Sequence, residues 1–109
     1  MRVLAIPEVI EYLDNLVDIL FEKNYFSYAE DAIDYVDELR YEIKTKLHTK
    51  LHISAPKHFD RYGKNMKYAG FPKNRHTTWY VFFTTYWENG EEIYLIRYIP
   101  NNNVIAQYL

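Results

Sequence analysis

Residues 76–87 (HTTWYVFFTTYW) form an almost unbroken β-branched and aromatic run, the pattern of a strand covered on both faces or nearly so. Asn89-Gly90 follows, the strongest short hairpin signal, because both central residues of its turn must take a positive φ. The return strand is predicted over 91–99. Alternation then puts Ile93, Leu95, Arg97 and Ile99 on one face and Tyr94, Ile96 and Tyr98 on the other. Pro100 ends it, and the tail beyond either extends or makes one helical turn. A hairpin this apolar needs a covering layer, and the N-terminal part of the chain supplies one.

Residues 2–6 read as a short strand. Pro7 suits the first turn of a helix, where its missing N–H costs nothing, and Glu8 and Glu11 sit well near that positive end. Val9, Ile10, Leu13, Leu16, Val17, Leu20 and Phe21 recur at three- and four-residue spacing, the stripe of a helix of about four turns ending near Lys23-Asn24. Ser27-Tyr28-Ala29-Glu30 matches the S-x-x-E capping box. A second helix is therefore predicted from 28 to about 46, with Ala29, Ile33, Val36, Leu39, Ile43 and Leu47 along its apolar face. The two read as a helical hairpin. From 47 to 75 the periodicity fades, and Pro56, Gly63, Gly70 and Pro72 punctuate it. Loops are expected there, with one short strand near 65–69. The predicted fold is α+β in the order β-α-α-β-β-β, with the helices on one face of a small, mainly antiparallel sheet and the other face partly open.

Composition narrows the class. Hydrophobic residues are 49% of the 109 and charged residues 26%, which suits a single globular domain, 1–109, and excludes a disordered chain. With no cysteine there is no disulfide, thiolate metal site or cysteine nucleophile. No apolar run approaches the roughly 18 residues of a membrane span, and the opening MRVLAIPEVIEY turns acidic too early for a secretory signal. A cytoplasmic protein with no membrane partner is expected. His48, His52, His58 and His76 lack ligand spacing, so neither a metal nor a cofactor is expected.

The net charge of −2 conceals an asymmetry. Residues 1–42 carry three Lys/Arg against eleven Asp/Glu, a balance of −8, and residues 43–109 carry ten against four, a balance of +6. Between Lys44 and His76 nine Lys/Arg stand against Asp60 alone, a balance of +8. Such a segment is either a solvated basic loop facing the acidic helices or a surface for a polyanion, meaning RNA, DNA or an acidic protein.

Three stretches carry a family likeness: YGKNMKYA (62–69), TWYVFF (78–83) and IYLIRYIPNN (93–102). With the element order, they resemble the RelE/ParE superfamily of toxins from bacterial type II toxin–antitoxin pairs, and the likeness spans nearly the whole chain. The resemblance implies a small cytoplasmic toxin, held inactive by a cognate antitoxin. Some members are mRNA interferases that cleave messenger RNA on the ribosome; others inhibit DNA gyrase without cleaving anything. For the nucleases it implies a cluster of Lys and Arg with a C-terminal Tyr or His, since 2′-OH attack on the adjacent phosphate needs proton transfer and a cation for the developing charge.

Matched residue by residue, the likeness makes Lys64, Lys67, Arg75, Arg97 and Tyr108 the catalytic candidates, with Lys57, Arg61, Lys73 and His76 as nucleic-acid contacts. The family's arginine before the aromatic motif is Trp79 or Tyr80 here, and its basic or His position after the last strand is Asn101, Asn102 and Asn103. Each candidate has a plainer reading. Lys64, Lys67 and Arg75 also fit a solvated basic loop. Arg97, on an otherwise apolar face, also fits a pair with a helix carboxylate. His76 suits a general base or a structural role at a strand start, and Tyr108 is one of 12 tyrosines. Tyr80, Tyr86, Trp87, Tyr94 and Tyr98 would stack bases if the sheet is open, or form core, and at least half are expected buried. Catalytically degenerate binding on the same fold and single-stranded nucleic-acid binding through these rings are the alternatives to a toxin.

Overall fold

In the computed structural model, which describes residues 1–109, the chain runs β1 (Arg2–Ala5), α1 (Pro7–Glu22), α2 (Ala29–Lys46), β2 (Ile53–Ser54), β3 (Lys67–Asn74), β4 (Thr77–Glu88), β5 (Glu91–Tyr98) and α3 (Asn102–Ile105). Single 3-10 turns stand at Leu47–Thr49, Lys57–Phe59 and Ala106–Tyr108. The architecture is α+β. One mixed sheet has the order β1-β5-β4-β3-β2, with β1 parallel to β5 and every other pair antiparallel. The Asn89-Gly90 turn forms with φ of 53° and 75°, the conformation that its residues favour. No helix is long and apolar enough to cross a membrane.

Both long helices cover one face of the sheet. Val9, Leu13 and Leu16 of α1 and Val36, Leu39 and Ile43 of α2 pack on Phe71, Trp79, Val81, Phe83, Tyr94 and Ile96. Polar links join the helices to each other and to the sheet: Arg40 of α2 meets Asp14 of α1 at 2.6 Å, and the Trp79 indole N–H donates to the Tyr35 hydroxyl at 2.9 Å.

The expected capping box is absent. Tyr28, in extended conformation, is the N-cap residue of α2 and makes no side-chain cap, so Ser27 lies one residue too far out to reach the first turn. Glu30 and Asp31 there still complement the helix dipole. The buried face of α2 is turned as well: Ala32 is fully buried while Ile33 is 44% exposed.

β3 is longer than the short strand expected. β2 pairs only with Lys67 and Tyr68, which leaves the rest of β3 as an edge, where Pro72 is tolerated without an N–H. The return strand also departs from simple alternation. Phe83 pairs with Ile96 but Phe82 with Tyr98, so Arg97 is the extra residue of a β-bulge. Ile99 consequently joins Tyr94 and Ile96 in the helix-side core, and Tyr98 packs with Phe82 on the opposite face.

That second face is less open than expected. The irregular segment before β3 folds across it and lays Phe59 and Met66 on Tyr68 and Phe82, with Ile105 of α3 closing the cluster. Of the five rings proposed for stacking, only Tyr94 is buried, Tyr80 and Tyr98 are half-buried, and Tyr86 and Trp87 are exposed at the far end of the β4–β5 hairpin. The expectation that at least half would be buried fails because that end of β4 extends past the helices and because Tyr80 and Tyr98 lie on the opposite face, only partly covered by the crossing segment.

Candidate functional site

β1 is the shortest strand but one, and its length creates the site. It pairs with residues 93–96 of β5, the Ile6 N–H makes a last bond to the Ile96 carbonyl, and Pro7 then turns the chain into α1. The end of β5 is left without a neighbour on that side. A hollow of about 520 Å³ opens there, lined by Glu8 and Tyr12 of α1, by Arg61 and Tyr62 of the crossing segment, and by Arg97 and Tyr98.

The Tyr62 and Tyr98 rings stack at 3.9 Å and 7°. Burial, followed by the hydrogen bond with Tyr62, pushes the Tyr98 phenol up to about 12, against the opposing pull of Arg61. At neutral pH Tyr98 is therefore an uncharged hydroxyl, a hydrogen-bond donor and not a base. The Arg61 guanidinium lies 5.4 Å from the centre of the Tyr62 ring, a cation–π distance. Its Nη2 is 3.1 Å from His58 Nε2. A guanidinium only donates, so His58 is the acceptor in this contact. The Tyr108 ring stacks on His58 at 3.7 Å and 8°. Arg97 Nε donates to Thr84 Oγ1 at 3.1 Å, which holds the stem and leaves the terminal fork free. The expected alternative for Arg97, a pair with a helix carboxylate, does not form; the one carboxylate lining the hollow is Glu8.

The other candidates are dispersed. Lys57 and Lys64 are exposed on the crossing segment. Lys67 is exposed opposite Phe83, so it projects from the helix-bearing face, away from Arg97. Arg75 and His76 occupy the exposed β3–β4 turn, roughly 25 Å along β3 from Lys67. These residues do not make one cluster.

Lys73, read as a nucleic-acid contact, is a structural cation. Its ammonium meets Glu38 at 3.3 Å and Glu42 at 3.4 Å, its side chain is 8% exposed, and it lies 5.1 Å from the Tyr35 ring centre. Tyr108 stands at the edge of the site as the cover of His58.

Asn101 and Asn102 have a local purpose. The Asn101 side chain caps α3 by accepting from the Asn103 N–H at 2.9 Å. Asn102 accepts from the Thr78 N–H at 2.9 Å and donates to the His76 carbonyl at 3.1 Å, which fastens the tail to the start of β4.

Sequence reasoning missed His58, Tyr62, Tyr12 and Glu8. The first two carried a signal, since KHFDRY (57–62) interleaves cations with aromatic rings. The others come from α1, and only the early end of β1 brings them to the site. No group of three or more His, Asp or Glu is placed to hold a metal ion. Comparison with protein-family models, curated proteins and solved structures gives no match.

Proposed function

We propose that this chain is the toxin of a bacterial toxin–antitoxin pair of RelE/ParE type, acting in the cytoplasm on RNA and silenced by a cognate antitoxin. The observation that carries the reading is the pair Arg61 and Arg97, two guanidiniums without carboxylate partners flanking a hollow walled by stacked tyrosines. Guanidinium forks match the geometry of phosphate oxygens, and tyrosine faces accept bases regardless of sequence. The order strand, helical hairpin, mainly antiparallel sheet and the motifs at 62–69, 78–83 and 93–102 support the family. In this reading Arg61 and Arg97 replace Lys64, Lys67 and Arg75 as the principal RNA contacts.

A second reading, binding without cleavage, has one observation in its favour: the lysines and the arginine matched to the family's nucleases do not converge. Induced expression in a bacterial host tests the first. Growth arrest is expected, relieved by co-expression of a short adjoining reading frame and by the double change Arg61→Ala and Arg97→Ala. Unimpaired growth at high levels of folded protein contradicts it. If RNA isolated from arrested cells carries new 2′,3′-cyclic phosphate ends, the activity is cleavage; arrest with intact RNA favours the second reading.

A further inference from the structure

A second hollow, about 490 Å³, adjoins the first and shares its Tyr12 and Val104 walls. Its volume is that of a small-molecule site. Tyr25, Phe26 and Tyr35 wall it from the helical side, and Trp79, only 1% exposed, closes it from the sheet. Because the Trp79 N–H is donated to the Tyr35 oxygen, the Tyr35 hydroxyl proton remains available.

The polar lining is rich in donors, with Asn103 adding a side-chain amide and Thr77 a hydroxyl. Asn74 and Asn101 use their Oδ1 atoms to accept from the His76 and Asn103 N–H groups at 2.8 and 2.9 Å, which leaves their Nδ2 donors unengaged. Lys23 adds an ammonium, and no carboxylate lines the hollow, although residues 1–42 around it have a balance of −8. Lys23 repels a cation that the rings would otherwise attract. An aliphatic guest would cover these donors without pairing them, at a cost in free energy. A flat ring whose edge carries acceptor atoms uses both the rings and the donors.

We infer that this hollow receives a nucleobase. The two hollows then divide a nucleotide between them, the base among the aromatic side chains and the phosphate at Arg61 and Arg97. The phosphate half rests on the function proposed above; the base half does not.

The chain has two tryptophans, and Trp87 is 70% exposed on the distant hairpin. In the Trp87→Phe protein, Trp79 emission reports the hollow alone, alongside the NMR resonances of the Asn74, Asn101 and Asn103 side-chain amides. Titration with the four ribonucleosides is expected to give a saturable response with at least one. Tyr25→Ala and Asn103→Asp, both at exposed positions, are expected to weaken that binding about tenfold with little change in thermal midpoint. The matching 5′-monophosphate is expected to bind more tightly than the nucleoside, and Arg61→Ala with Arg97→Ala to remove that advantage while sparing the nucleoside. Tighter binding of a trinucleotide assigns the base to an RNA strand, and equal binding to a free nucleotide. No response to any nucleoside at millimolar concentration, by emission or by NMR, overturns the inference, as does an aromatic peptide that binds there more tightly than every nucleoside. A persistent monophosphate advantage in the double arginine variant overturns the phosphate half. Growth arrest that survives that variant would instead remove Arg61 and Arg97 from the proposed function and leave the base site standing.

Discussion

A Cβ at Gly63 would lie 2.7 Å from Arg97 Cδ and 3.2 Å from Met66 Sδ. The missing side chain leaves the space that the Arg97 stem crosses. Gly63→Ala is expected to displace the Arg97 guanidinium and weaken RNA binding several-fold, while urea denaturation shows a loss of under about 1 kcal/mol because the guanidine arm is flexible. Lys73 is the opposite case. Its ammonium bridges Glu38 and Glu42 from a nearly buried position, so Lys73→Ala is expected to cost about 1 to 3 kcal/mol in urea denaturation and to leave RNA affinity unchanged. In the sequence Lys73 looks like Lys67, because a charge count does not say which cations are already neutralised. Glu38 and Glu42, four apart on α2, form a face that meets a cation, and only the packing of α2 against β3 reveals which one.

The elements were legible where a local rule decides them. Asn89-Gly90 between two β-branched runs predicts the β4–β5 hairpin, and both turn residues take the positive φ required. Nothing lies within 4 Å of a Cβ built on Gly90, so Gly90→Ala tests conformation alone; a loss of about 1 to 2 kcal/mol is expected in urea denaturation. The apolar stripe of α1 is equally local. The bulge at Arg97 is not, since it satisfies two demands made elsewhere: Ile99 fills the helix-side core, and Tyr98 reaches Phe82 and Tyr62 on the other face. Strict alternation cannot express such a compromise. Pro72 misled for a related reason. It reads as a breaker until β2 proves too short to flank it and the edge of β3 accommodates it. The segment that brings Phe59, Arg61 and Tyr62 over the sheet has no periodicity, so the candidate site was visible only as charge density.

At the scale of the molecule, alkali tests the tyrosine stack. Tyr98 is raised from 10.0 to about 12, and burial raises Tyr12 and Tyr94 in the same direction. The folded state therefore holds protons that the unfolded chain has released, and stability declines with rising pH between 10 and about 12. Urea midpoints across that range are expected to fall, and Tyr98→Phe, which keeps the ring, to flatten the decline. The charge asymmetry of the sequence is resolved in space, because part of the basic segment is spent on the acidic helices, as with Lys73, and part is left facing outward. That Arg61 and Arg97 are the part that meets RNA is the central proposal. Its most direct test is the affinity for a single-stranded RNA oligomer measured against salt concentration. Arg61→Ala and Arg97→Ala are each expected to weaken binding and to lower the slope of log affinity on log salt by about 0.7, one phosphate contact, while Lys67→Ala and Arg75→Ala leave both nearly unchanged. A slope that survives the loss of both arginines but falls with Lys67 and Arg75 would contradict the account.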